Sequence, residues 1–322
     1  MKRRIFSLVL FLLLFCLASS TAVAADTVQF EYEITDNTVT ITACDAQATG
    51  EVSVPAEINA MPVTAIGGSA FAGCEYIEEI ILPESVEEVG PYAFYGCSAL
   101  KRVNLPATEK AYGEGLFTGC AALEYVSLPK ELTEISDNMF TGCSALQRVS
   151  IPTGVKSIGD NAFSGCSSLR VMVLPAGLDE ISRNAFQDCS ELFFVRMPKE
   201  ISYIGENAFS GCKALKVISL PDNVNQIPAG CFHGCETLGS MRIPQSVLEI
   251  KADAFADCPG LYRLYFEHSA ADPLSIEPGA FMLEGITETE VHCLDAVTPH
   301  EALMAYEWQL SGRPVEFIEL DK

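Results

Sequence analysis

The sequence predicts an α/β-type, strand-rich repeat solenoid of about nine to ten coils, each 23 residues long, with a parallel β-sheet on one face. Three observations carry that prediction. Cys74, Cys97, Cys120, Cys143, Cys166, Cys189, Cys212, Cys235 and Cys258 stand 23 residues apart without a slip. Three residues before each of them stands Phe, from Phe71 to Phe255. After each cysteine comes a short apolar alternation that a proline usually closes.

The unit reads A-F-x-G-C-x-x-L-x-x-V-x-L-P-x-x-V-x-x-I-G-x-x. Its L-x-x-V-x-L segment ends in a two-residue alternation, which marks a short strand with one buried face. The proline at its end has no N–H and stops the ladder. Gly or Asp before each cysteine, as at Gly165 and Asp188, predicts a turn residue with positive φ. The remaining aliphatics, such as Val155 and Ile158, close the coil on its other side. A lone coil cannot cover its own apolar columns: a buried large side chain gains roughly 1.5–3 kcal/mol, whereas ordering backbone costs about 1–2 kcal/mol per residue. The coils must therefore stack, and at about 4.8 Å per strand they form a rod on the order of 45 Å long.

These motifs resemble the BspA-like, or Treponema-type, leucine-rich repeat family. The resemblance spans roughly Phe30 to Leu320 and rests on G-C-x-x-L-x-x-V-x-L-P together with I-G-x-x-A-F. Asn37-Thr38-Val39-Thr40-Ile41-Thr42 and Met61-Pro62-Val63-Thr64-Ala65-Ile66-Gly67 are similar to the usual lead-in of such arrays. The resemblance implies a leucine-rich repeat array in a bacterial surface or secreted protein that adheres to host proteins or other cells. It implies no catalytic residues.

The first residues carry Lys2, Arg3 and Arg4, an apolar run from Ile5 to Leu17, and Ala22-Val23-Ala24. That order is a secretory signal peptide over residues 1–24, with the mature chain starting at Ala25. Cys16 is no lipidation site, because Phe15 stands where a small residue belongs. The expected organisation is an N-terminal cap and irregular coil over 25–66, the array over 67–285, and a C-terminal cap over 286–322. Within the last, Thr298-Pro299-His300-Glu301 starts a helix over about 299–311, and Val315 to Leu320 adds a strand. Two irregularities are expected, at Asn59-Ala60-Met61-Pro62 and near Ala107 to Gly115, where Glu109 and Tyr112 replace aliphatics. The chain is expected to be exported, secreted or loosely held at the cell surface, with no transmembrane segment.

The cysteine ladder predicts buried free thiols. In-register cysteines about 4.8 Å apart are wider than disulfides prefer. A row of inward thiols makes no tetrahedral metal cage, and Cys packs as a small hydrophobe. Cys231, His233 and Cys235 mimic a metal motif, but Cys231 fills the Ala column. Cys44 and Cys293 lie outside the ladder. No cofactor, metal or catalytic constellation is expected, so the chain is read as a non-enzyme.

The functional signal lies in two columns, five and seven residues after each cysteine, that alternate with the buried strand positions. They hold five of the eight arginines that follow residue 25, no lysine and one acid, on a chain of net charge −23. Such an acidic balance excludes a general nucleic-acid binder. Arg102, Arg148, Arg196 and Arg242 recur at every second coil, about 10 Å apart. With Tyr125, Val171, Phe194, Val217, Arg263 and Tyr265 they compose an interface-like mixture. The expected ligand is an extended acidic partner, either an extracellular protein or an anionic glycan. The plain alternatives are that arginine stems and aromatics merely cover a sheet face, and that the rod is a spacer or self-assembling envelope subunit.

Overall fold

The computed structural model describes residues 28–107, 112–269, 271–282, 290–293, 301–305 and 316–319. The signal segment, Glu109, Trp308 and the anticipated helix beyond Ala305 lie outside these residues.

Each coil has three straight runs, and each run stacks on its counterpart in the next coil. The first is the predicted strand. Gly50–Ser53, Ile77–Ile81 and Arg102–Val103 pair in parallel and in sequence order. Tyr125–Val126 pairs with Arg148–Val149, and Val171–Val173 with Phe194–Arg196. Ser240–Ile243, Arg263–Phe266, Glu290–Cys293 and Glu316–Glu319 finish the series. The last of these is the strand anticipated near the C-terminus.

A second parallel ladder runs along another face of the coil, where only closing aliphatics were anticipated. Glu134–Ile135, Ser157–Ile158, Glu180–Ile181 and Tyr203–Ile204 pair consecutively, as do Gln226–Ile227, Glu249–Ile250 and Ser275–Ile276. Each contributes one inward Ile, buried in all but the last strand, where Ile276 is partly buried, and one outward residue. Two residues suffice because their neighbours on both sides supply the partners that a longer strand would otherwise need.

The third run is the A-F-x-G-C turn. Its backbone N–H groups donate forward to the next coil, as in Phe163 N–H to Ala185 O and Gly165 N–H to Gln187 O, both 2.8 Å. Those bonds require left-handed backbone. The residue before each ladder cysteine has positive φ at all nine positions, including Asp188 (58°) and Asp257 (53°). A second left-handed column lies two residues before each Phe and was not anticipated. It is filled by Asn138, Asn161, Asn184, Asn207, Gly115, Gly230 and Asp253, with Tyr92 and Ser69 as the costly exceptions.

The core is columnar. From Phe94 to Phe281 the rings stack nearly parallel, with centroids 5.0–5.7 Å apart and interplanar angles of 14° or less. Phe30 closes the N-terminal end of the stack edge-on to Phe71 at 6.1 Å. Beside it runs the cysteine column. From Cys97 to Cys258 each Sγ–H donates to the carbonyl of the Phe in the preceding coil, at 3.0–3.3 Å. Burial pushes these thiols up, to about 12 at Cys97 and Cys258. They are inert hydrogen-bond donors rather than nucleophiles.

The ends differ as ordered arrays require. Phe30–Thr35 and Thr38–Cys44 form an antiparallel hairpin through Asp36 and Asn37, both at positive φ, the twist-matched two-residue turn. Thr38–Cys44 then starts the second ladder by pairing in parallel with Met61–Ile66. The irregularity at Asn59-Ala60-Met61-Pro62 is a second such hairpin, with Asn59 and Ala60 at φ 55° and 58°. Tyr112, in place of the expected aliphatic, is buried and donates its hydroxyl to Pro106 O at 2.7 Å. At the C-terminal end the described helix is Glu301–Ala305.

Phe163→Ala removes one ring from the middle of the stack and should cost about 3–5 kcal/mol in urea unfolding. Gly165→Val should cost about 1–2 kcal/mol from the left-handed backbone alone. Gly165→Asp should cost visibly less, since Asp188 and Asp257 hold the same conformation; equal losses for the two Gly165 variants would contradict this reading.

Candidate ligand-binding face

The strand alternation turns Val126, Met172 and Val195 inward and sends their neighbours outward. Tyr125, Val171, Val173, Phe194 and Val217 are 50%, 39%, 52%, 36% and 57% exposed. Register brings them together. Tyr125 pairs with Arg148, Val171 with Phe194, Val173 with Arg196, and Phe194 bridges to Val217. The result is an apolar patch of Val171, Val173, Phe194 and Val217 over the middle coils, with Arg148 in the coil between it and Tyr125 and Arg196 at its edge in register with Val173.

The arginines divide sharply. Arg102 reaches Glu79 at 3.3 Å, Arg170 reaches Glu191 at 2.8 Å and Arg183 reaches Asp160 at 3.2 Å. Arg242 is held between Asp222 at 3.0 Å and Glu267 at 2.6 Å, and Arg263 reaches Glu290 at 2.5 Å. Among the described residues, Arg148 and Arg196 reach no carboxylate. The positive stripe expected over the whole array is therefore concentrated at its centre.

The ten residues anticipated from the sequence thus separate into two groups. Tyr125, Arg148, Val171, Phe194, Arg196 and Val217 are exposed and adjacent. Arg102 lies at the N-terminal edge, already paired. Arg242, Arg263 and Tyr265 lie at the C-terminal end, half-buried and engaged: Tyr265 stacks on His292 at 4.7 Å, and Arg263 lies 5.4 Å from the Tyr262 ring centre. Column counting missed their partners for a definite reason. Asp222 and Glu267 belong to other columns, and Glu290 follows an irregular coil in which the 23-residue count no longer applies. Val173 and Phe193, both exposed, join the patch and were not singled out; Val173 was visible in the same outward column as Arg196.

The face offers apolar contact and two guanidiniums. Among the described residues, no helix is long and apolar enough to cross a membrane.

A profile of the BspA-type leucine-rich repeat region matches residues 56–170 and 133–262, with six copies. The chain belongs to this family. It is similar to the T. pallidum leucine-rich repeat protein, at 31% identity and a TM-score of 0.54, over 58% of this chain and 87% of that one. It is also similar to a leucine-rich cell surface protein of Faecalibacterium prausnitzii, at 25% identity and a TM-score of 0.41, over 85% and 95% of the two chains. A comparison with curated proteins gives no match. The BspA-type repeat accounts for the columns that build the array and leaves the outward strand residues free to differ.

Glu290 is held below the usual carboxylate range, first by its hydrogen bond from Arg263 and then by His292. A depressed carboxylate contributes stability above its unfolded value, about 4.3, and loses it as pH falls through the folded value. Arg263→Gln should therefore move the Glu290 titration upward in carboxylate-resolved NMR. An unmoved titration would show that the pair does not form.

Proposed function

We propose that this protein is a secreted or cell-surface binding module that adheres through the central strand face. The occupant of that face is an extended protein segment carrying both apolar and acidic side chains. The observation that supports this reading is the coincidence of exposed Tyr125, Val171, Val173, Phe194 and Val217 with Arg148 and Arg196, the described arginines that lack a carboxylate partner. In a chain of net charge −23, carboxylates are abundant enough to neutralise every arginine. Two left open beside an apolar patch are poised for acids that come from elsewhere.

The same mixture favours a protein over an anionic glycan. A sulfated or carboxylated sugar needs a dense cationic surface, and here aliphatic and aromatic area dominates, in the manner of an interface core. Arg148 and Arg196 stand two coils and two strand residues apart, about 12 Å on the diagonal. An extended segment covers that distance in about four residues, so the partner carries two acids at roughly that spacing around apolar residues. Surface placement follows from the family and from the signal segment read in the sequence. Catalysis has no support from the geometry.

The test is capture of a panel of extracellular-matrix proteins and heparin by the immobilised chain, at low and physiological salt. Arg148→Ser with Arg196→Ser should weaken protein capture at least about tenfold, equivalent to about 1.4 kcal/mol. Arg242→Ser should change it little, because that guanidinium is already held by Asp222 and Glu267. Capture of heparin alone would favour a glycan. Concentration-dependent self-association without foreign capture would favour the spacer.

A further inference from the structure

The thiol column changes character at its N-terminal end. From Cys97 onward each thiol donates to the Phe carbonyl of the coil before it. Cys74 has no such coil behind it. Its Sγ–H donates to Asp45 O at 3.8 Å, and the Sγ–H of Cys44 donates to the same oxygen at 3.8 Å. One backbone oxygen therefore receives both sulfurs, which places them side by side at the junction of hairpin and coil. Cys44 and Cys74 thus share one acceptor, whereas each ladder cysteine from Cys97 onward has a Phe carbonyl of its own.

We propose that Cys44 and Cys74 are a disulfide-forming site that staples the N-terminal hairpin to the first coil, while the remaining ladder thiols stay reduced. Accessibility sets the order of events. Cys44 is partly exposed, and Cys74 is 1% exposed. A low-molecular-weight disulfide such as oxidised glutathione therefore meets Cys44. The Cys44 thiolate attacks one sulfur of that disulfide, forming a mixed disulfide and releasing one thiol. The Cys74 thiolate then attacks the Cys44 sulfur, closing the protein bridge and releasing the second thiol. Two protein S–H bonds are lost, one S–S bond forms, and the oxidant is reduced to two thiols. Ladder thiols from Cys97 onward are fully buried, so they do not meet the oxidant.

The bridge has a structural purpose. Thr38–Cys44 starts the second ladder, and Phe30 covers the last ring of the phenylalanine stack. In a quasi-linear array the terminal coil has a neighbour on one side only, so it frays first. A link from residue 44 to residue 74 confines that fraying at the end that covers the core. The site does not depend on the ligand-binding reading.

The experiment oxidises the native chain with glutathione disulfide, blocks remaining thiols after unfolding, and maps peptides after cleavage at glutamate. That cleavage places Cys44 in peptide 34–51 and Cys74 in peptide 58–75. The expected result is a linked pair of these two peptides, lighter by two hydrogens than the reduced pair, with the peptides of Cys97 to Cys258 carrying the blocking group. Cys44→Ser should abolish the link and leave the far-ultraviolet circular dichroism unchanged. Cys74→Ser should leave a stable glutathione adduct on Cys44. Persistent glutathionylation of Cys44 in the unsubstituted chain, links among other ladder cysteines, or no oxidation at all would each overturn the proposal.

Discussion

Each coil is covered only by the same columns of its neighbours. That single constraint explains why the sequence repeats so strictly. A ring at Phe163 is buried because Phe140 and Phe186 lie above and below it at 5.2 Å, and any coil that shifted by one residue would lose both contacts. The thiol column follows from the same geometry. Beside the phenylalanine stack there is room for a small side chain, and the Phe carbonyl needs a second donor from the next coil. Cysteine supplies both in one group, as Cys166 does for Phe140 O at 3.2 Å. Serine would meet the hydrogen bond but lose apolar contact, and alanine the reverse.

The same constraint decides how much was legible in the sequence. Columns that face inward repeat, so their period, their strand and their turn could be read directly, down to the positive φ at Asp188 and Asp257. The second left-handed column was equally readable from Asn138, Asn161, Asn184 and Asn207, but the exceptions Tyr92 and Ser69 blurred it. The second ladder was harder to see. Strands as short as Ser157–Ile158 show no alternation, and their pairing arises from stacking rather than from local pattern. The outward columns were legible as a list of residues but not as a charge map. Whether Arg148 is open and Arg242 closed depends on carboxylates such as Glu267, brought near by coil geometry rather than by column. Cys44 illustrates the same limit. It is 30 residues from Cys74, off the period, and only the hairpin at Asp36 and Asn37 brings its sulfur to the column.

In-register stacking also constrains charge. A column that repeated one charged residue would place like charges about 4.8 Å apart along the rod, an arrangement that destabilises parallel pairs. The middle coils of both ladders avoid it by alternation, and like charges meet in register only nearer the ends, where Glu51 pairs with Glu79 and Glu290 with Glu316. On the second ladder Glu134 and Glu180 are separated by Ser157, and Tyr203 and Gln226 intervene before Glu249. On the first, Arg148 and Arg196 are separated by Val171 and Val173, and where Arg263 and Glu290 do fall in register they have opposite sign. Outward columns are thus heterogeneous through the middle of the array, whereas inward columns are uniform throughout it. A solenoid of this kind can carry recognition only in the heterogeneous columns. Of those, the strand face between Tyr125 and Val217 combines exposed apolar area with guanidiniums left open, whereas the second ladder presents chiefly acids and uncharged polar residues around the single exposed ring of Tyr203. On the function proposed above, specificity for a partner lies in the middle of the first ladder, and the uniform core holds that surface in register.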